Sequence, residues 1–132
     1  MTLVVDSSTA VAALIDVGAD GQWARQLLDS QDLAAPHLIR VEADNILRRR
    51  VLAGIITERD AAFAHAELVA LSVELYPFEP FAPRIWELGR TVTAYDAWYV
   101  ALAEALGVTL ATIDFTLTRS PGPRCSFLTP PR

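Results

Sequence analysis

The chain has 132 residues, 52% of them hydrophobic and 20% charged, which suits one compact domain over residues 1–132 with a sizeable core and leaves nothing that reads as disordered. A formal net charge of −5 argues against sequence-independent coating of nucleic acid, which shows as a basic face, but it is compatible with an acidic pocket that binds cations. The single cysteine, Cys125, excludes an internal disulfide framework and a cysteine-rich zinc site.

In chain order, residues 3–6 form a short apolar run closed by Asp6, the pattern of a buried strand with an acid at its carboxyl end. Ser7 or Ser8 then offers a side-chain oxygen to start a helix over 9–15, which Gly18 and Asp20-Gly21 stop. Residues 22–28 predict a second helix with Trp23 and Leu27 on one face, and 33–35 a weak strand cut off by Pro36. A helix follows over 37–52, its stripe drawn from Leu38, Ile39, Ile46 and Leu47 and its end set by Gly54. The next helix, 57–71, opens on a cap-like Thr57 and carries Phe63, Ala64, Leu68 and Leu71 on one side. Residues 72–76 alternate as a strand nearer a sheet edge does, and Pro77, Pro80 and Pro83 turn the chain into a helix over 84–91. From Thr93 an almost wholly apolar helix runs to Gly107, and 108–113 is a second strong strand, again closed by an acid, Asp114. A short segment 115–118, a loop over 119–124 and a last strand over 125–128, with Cys125 packed in it, lead to the tail. Leu3-Val4-Val5 is too short for a signal peptide, and charges, Gly or Pro interrupt every apolar run, so the expected setting is the reducing cytoplasm with no membrane insertion.

Short apolar strands separated by helices predict an α/β fold, a parallel sheet with helices on both faces. Ligands of such sheets collect beyond the carboxyl ends of strands, where strand order reverses. Asp6 and Asp114 both end such strands. The helix that begins near Asp96, about eleven residues at about 1.5 Å each, is long enough to run back along a strand of about five residues at about 3.3 Å each. Its start therefore comes near Asp114. Glu42 lies four residues from both Leu38 and Ile46, so its carboxylate shares their face and needs a partner, whether a metal, an arginine or a proton.

Each acid alone also has an ordinary reading. Thr93 with Asp96 resembles a capping box, Asp114 is placed to cap the segment after it, and Glu42 suits a salt bridge. Together, four acids meeting without a lysine between them require a divalent cation. Oxygen ligands with no His or Cys cluster select magnesium or manganese, which would lower the pKa of a bound water and support in-line displacement at phosphorus. His37 and His65 have no metal-ligand spacing and read as structural or exposed. All eleven basic residues are arginines, and Arg48, Arg49 and Arg50 are the densest cluster, read either as grips for phosphates or as a solvated helix end. Trp98 and Tyr99 read as core or dimer contacts, or as platforms for bases.

The strand-ending Val4-Val5-Asp6-Ser7-Ser8, the helical Glu42 in Pro36-His37-Leu38-Ile39-Arg40-Val41-Glu42-Ala43-Asp44-Asn45, the block Tyr95-Asp96-Ala97-Trp98-Tyr99-Val100-Ala101-Leu102-Ala103 and Thr112-Ile113-Asp114 resemble the ordered acids of PIN-domain ribonucleases. Among these the likeness is to the VapC toxins of bacterial toxin–antitoxin pairs, and it covers nearly the whole chain. The resemblance implies a sheet ordered 3-2-1-4-5 and a Mg2+- or Mn2+-dependent endoribonuclease. It also implies a VapB-like antitoxin that blocks the acidic pocket, an RNA substrate and a homodimer. By position it makes Asp6, Asp96 and Asp114 metal ligands and Glu42 a further catalytic acid, and it matches Ser8 and Thr112 to small hydroxyl residues beside the metal. Thr116 and Thr118 stand where some relatives carry another acid, which leaves one metal or two open. The rivals are a PIN-like module that binds without cutting and a receiver-like signalling domain, whose family needs a lysine that this chain does not have.

Overall fold

The computed structural model describes residues 1–132. The strands are β1 (Thr2–Val5), β2 (Asp32–Pro36), β3 (Glu74–Tyr76), β4 (Thr109–Ala111) and β5 (Phe127–Leu128). They form one sheet in the order β3-β2-β1-β4-β5 with every pair parallel, as the resemblance implied. Parallel neighbours need a crossover, and helices supply it. These are α1 (Ser7–Ile15), α2 (Ala19–Ser30), α3 (Ile39–Leu52), α4 (Glu58–Ala70), α5 (Ala82–Leu88), α6 (Ala94–Leu106) and the short α7 (Phe115–Arg119).

Successive strand residues point to opposite faces, and Val4 and Val5 of the central β1 are both buried, so the sheet is covered on both sides. Val4 stands opposite Ala34 and Leu110 in the ladder, and these residues form the main core with Ala97, Tyr99, Val100, Leu102 and Ala103 of α6. The near-absence of polar residues in α6 thus has a direct physical cause: it is an interior helix. A second cluster, Val11, Ala43, Leu47, Ala64 and Leu68, joins α1, α3 and α4. Arg84 on α5 reaches Glu104 of α6 at 2.7 Å and the carbonyl of Gly122 at 2.8 Å, pinning the loop before β5. No helix is long and apolar enough to cross a membrane.

Several boundaries differ from the sequence expectation. Asp20-Gly21, read as a stop, lies inside the first turn of α2, because Gly21 is where α2 approaches the end of α1: a Cβ there would stand 1.8 Å from the carbonyl oxygen of Asp16. Pro36 completes β2 rather than cutting it, since the next donor, His37 N–H, continues the ladder to Tyr76 at 3.0 Å. β4 ends at Ala111, two residues early, where the Thr112 hydroxyl accepts the Asp114 N–H and bends the chain. Phe63 is 60% exposed, with Arg59 over its ring, because the inward stripe of α4 is Ala64 and Leu68, a turn of about 100° away. Cys125 precedes β5 instead of lying in it, although it packs against the main core. Gly54 and Gly107 stop their helices as expected, both in the left-handed region at φ 73° and 67°.

Gly21→Ala is expected to cost about 3 kcal/mol, the range for an overpacked contact that backbone must yield to. Urea denaturation of the two proteins measures it, and an unchanged midpoint contradicts the close approach.

Candidate active site

Strand order reverses between β1 and β4, and the site is built at their carboxyl ends. Asp6 leaves β1 and caps α1: Oδ1 accepts the Thr9 N–H at 2.9 Å and the Ser8 hydroxyl at 2.7 Å. Its Oδ2 accepts from the hydroxyl of Thr112, a fully buried residue just past β4. The same hydroxyl oxygen accepts the Asp114 N–H at 2.9 Å, so one atom links the two acids. Asp114 caps α7 through Oδ1 alone, which accepts the N–H groups of Thr116 and Leu117 at 3.0 and 3.1 Å. Capping and membership of a site are therefore compatible, since a carboxylate has two oxygens.

Asp96 enters in the first turn of α6, where the helix dipole favours an anion. The capping oxygen there is that of Thr93, which accepts the Asp96 N–H at 3.2 Å. Glu42, in the first turn of α3, accepts the Tyr99 hydroxyl on Oε1 at 2.7 Å. Tyr99 is buried, so this bond fixes Glu42 from inside the protein.

The charges of the other three acids act on Asp96. Asp96 is pushed up to about 6, first by burial and then by the charges of Asp114, Asp6 and Glu42. Burial raises Asp6 as well, against the donors Thr112, Thr9 and Ser8 that lower it. Burial and the bond to Glu42 raise Tyr99, which keeps it a donor. The salt bridges of the chain, His65–Asp44, Arg84–Glu87 and Arg84–Glu104, leave all four acids without a cationic partner. No three His, Cys, Asp or Glu side chains are grouped closely enough to hold an ion as they stand. The arrangement is thus an open ring of oxygen donors rather than a closed cage. Carboxylates flanked by the Ser8 and Thr112 hydroxyls fit a hard divalent cation that keeps part of its water, and they do not fit a soft one.

Beside the ring runs an open groove of about 740 Å³, lined by Ser7, Glu42, Asp44, Asn45, Arg48, Arg49 and Tyr95 together with apolar side chains. Arg48 and Arg49 line it; Arg50, a further 100° around α3, does not. His37 is exposed, and His65 is exposed with Nδ1 2.7 Å from Asp44. Trp98 packs edge-on against Phe78 with ring centroids 5.5 Å apart, a structural contact. Sequence reasoning missed the bond from Tyr99 to Glu42. The available signal was spacing, because Tyr99 follows Asp96 by three residues on the same helix. Ser7 and Tyr95, which border the groove, carried no separate signal.

An acid ring at the switch point of a parallel 3-2-1-4-5 sheet places the chain in a class, and comparison with known proteins gives the class its name. Residues 3–121 match the PIN domain, and the chain belongs to that family. It is 40% identical over 130 residues to "Ribonuclease VapC9" of Mycobacterium tuberculosis, covering 98% of this chain and 99% of that relative. Among solved structures it resembles Mycobacterium tuberculosis VapC20, described as a sarcin-ricin loop cleaving toxin, with a TM-score of 0.67 and 20% identity over 88% of this chain and 92% of that one. It also resembles VapBC2 of Rickettsia felis, solved with a DNA fragment from the promoter, with a TM-score of 0.66 and 13% identity over 99% and 100% of the two chains. The two structural likenesses support the fold.

Thr112→Val keeps the shape of residue 112 and removes the hydroxyl between Asp6 and Asp114, and a loss of about 2 kcal/mol is expected from the unpaired buried groups. Equilibrium denaturation reads it directly. Asp96 binds protons more tightly folded than unfolded, so the stability of the cation-free protein falls as pH rises from about 4 through about 6. That difference in proton affinity corresponds to at most about 3 kcal/mol, which solvent screening of this half-buried group reduces to about 1 kcal/mol. Asp96→Asn, measured in chelator, should therefore raise the melting temperature by a few degrees above pH 6 and leave it unchanged near pH 4. A gain of equal size at both pH values contradicts this origin.

Proposed function

We propose that residues 1–132 act as one PIN domain, a Mg2+- or Mn2+-dependent endoribonuclease that serves in the cytoplasm as the toxin of a toxin–antitoxin pair. The observation that carries this reading is the acid ring at the switch point: four carboxylates, none paired with a cation, where burial and the charges of the other three raise the proton affinity of Asp96. A near-full-length relative at 40% identity that is named a ribonuclease supports it.

Asp6, Asp96 and Asp114 are the residues that would hold the cation, and Ser8 and Thr112 keep Asp6 oriented. A bound divalent cation supplies positive charge against phosphate oxygens and acidity to a water molecule. Glu42, steadied by Tyr99, either shares that cation or aligns the attacking water on the scissile phosphate. Arg48 and Arg49 border the groove in reach of a flanking phosphate, where a guanidinium binds two oxygens at once. Partners follow from the same reading: an RNA substrate, a VapB-like antitoxin that covers the acids, and a second copy of the chain.

The test is cleavage of a panel of structured RNAs with Mg2+ or Mn2+ and with chelator. The wild type should cut only with the cation, and Asp96→Asn should lose cleavage by a factor on the order of 1000. Addition of Mg2+ should raise the melting temperature of the wild type and not that of the variant. Full cleavage by Asp96→Asn, or cleavage undiminished in chelator, refutes the assignment.

A further inference from the structure

Building on the nuclease reading, the geometry points to Tyr95 as a specificity-determining residue: a stacking platform that holds one unpaired nucleotide in the groove beside the phosphate to be cut. Tyr95 is 59% exposed and occupies the first turn of α6 immediately before Asp96. Consecutive helical side chains diverge by about 100°. Asp96 accordingly turns to the acid ring, while the Tyr95 ring borders the groove.

The other wall is α3, and it has the right chemistry at the right interval. Glu42 lies at one end and Arg49 seven residues further, about 10 Å at about 1.5 Å per residue, the length of about three stacked nucleotides at about 3.4 Å each. The lining there also includes apolar Val41 and Ile46 and the amide of Asn45. The other acid there, Asp44, is engaged by His65. A strand laid along α3 meets guanidinium groups under its flanking phosphate and apolar or aromatic surface under its base faces, which is how unpaired nucleic acid is held. The groove of about 740 Å³ is open and has room for a short stretch of single strand. Paired bases keep their faces stacked inside the duplex, out of reach of Tyr95. Other exposed aromatics, Trp86 on α5 and Phe63 on α4, are not part of the groove lining.

The test uses an unpaired oligoribonucleotide of about eight nucleotides, within the range of single-strand site sizes. Cleavage is followed with the full chain and Mg2+, and binding by fluorescence anisotropy in the Asp96→Asn background, so that the RNA stays whole. Tyr95→Ala should raise KM and weaken binding by about 10- to 100-fold, the loss expected for one stacked base, with kcat held within a few-fold. Tyr95→Phe, which keeps the ring, should recover most of that loss, Trp86→Ala should behave as wild type, and the same sequence as a duplex should compete poorly. Unchanged KM and binding in Tyr95→Ala, a fall in kcat alone, or equal competition by the duplex overturns the inference while leaving the nuclease reading intact. A wild type that neither binds nor cuts RNA with Mg2+ or Mn2+ removes the nuclease reading and this inference together.

Discussion

The buried hydroxyl of Thr112 donates to Asp6 and accepts from the Asp114 N–H, and through it the carboxyl ends of β1 and β4 are held in one fixed relation. A hydroxyl is suited to the place because it can donate and accept at once, and threonine's branched Cβ limits the rotamers in which it does so. Around that atom the backbone is also fastened: Thr9 donates its hydroxyl to Ala111, and the Asp6 N–H reaches the same carbonyl at 3.3 Å. The site is therefore anchored to the central ladder of the sheet and not to loops, which is what precise placement of reacting groups needs.

Each carboxylate is supported without a cationic partner. Asp6 has hydroxyls and an N–H, Asp114 has two N–H groups of α7, and Glu42 has the Tyr99 hydroxyl. Asp96 stands at the positive end of α6. Neutral donors orient the acids and leave room for a cation to supply the positive charge. The protein bears a cost in stability for this, seen in the raised proton affinity of Asp96.

Two helices do most of the arranging. In α6 one face packs into the core while its first turn presents Asp96 inward and Tyr95 outward, with Tyr99 one turn on to hold Glu42. In α3 the face that carries Glu42 continues to Arg48 and Arg49, so a chain of net charge −5 still offers a basic stretch along a single groove. The formal charge of the whole molecule is a poor guide to a substrate that touches only this stretch.

The sequence by itself determined the element types, because a period of two or of 3.6 in apolar residues follows directly from local geometry. It also determined the positions of the four acids at strand and helix ends, and the absence of a lysine partner for them. What it could not determine was whether Asp20-Gly21 ends a helix or lets two helices touch, since a glycine serves both purposes and only the neighbour at Asp16 decides. Nor could it separate cap from site at Asp114, or core from positioning at Tyr99, because in each case one role leaves the other open. Those outcomes depend on contacts between residues 57 to 106 positions apart, Glu42 with Tyr99 and Asp6 with Thr112, and such contacts exist only once the sheet order has brought the elements together.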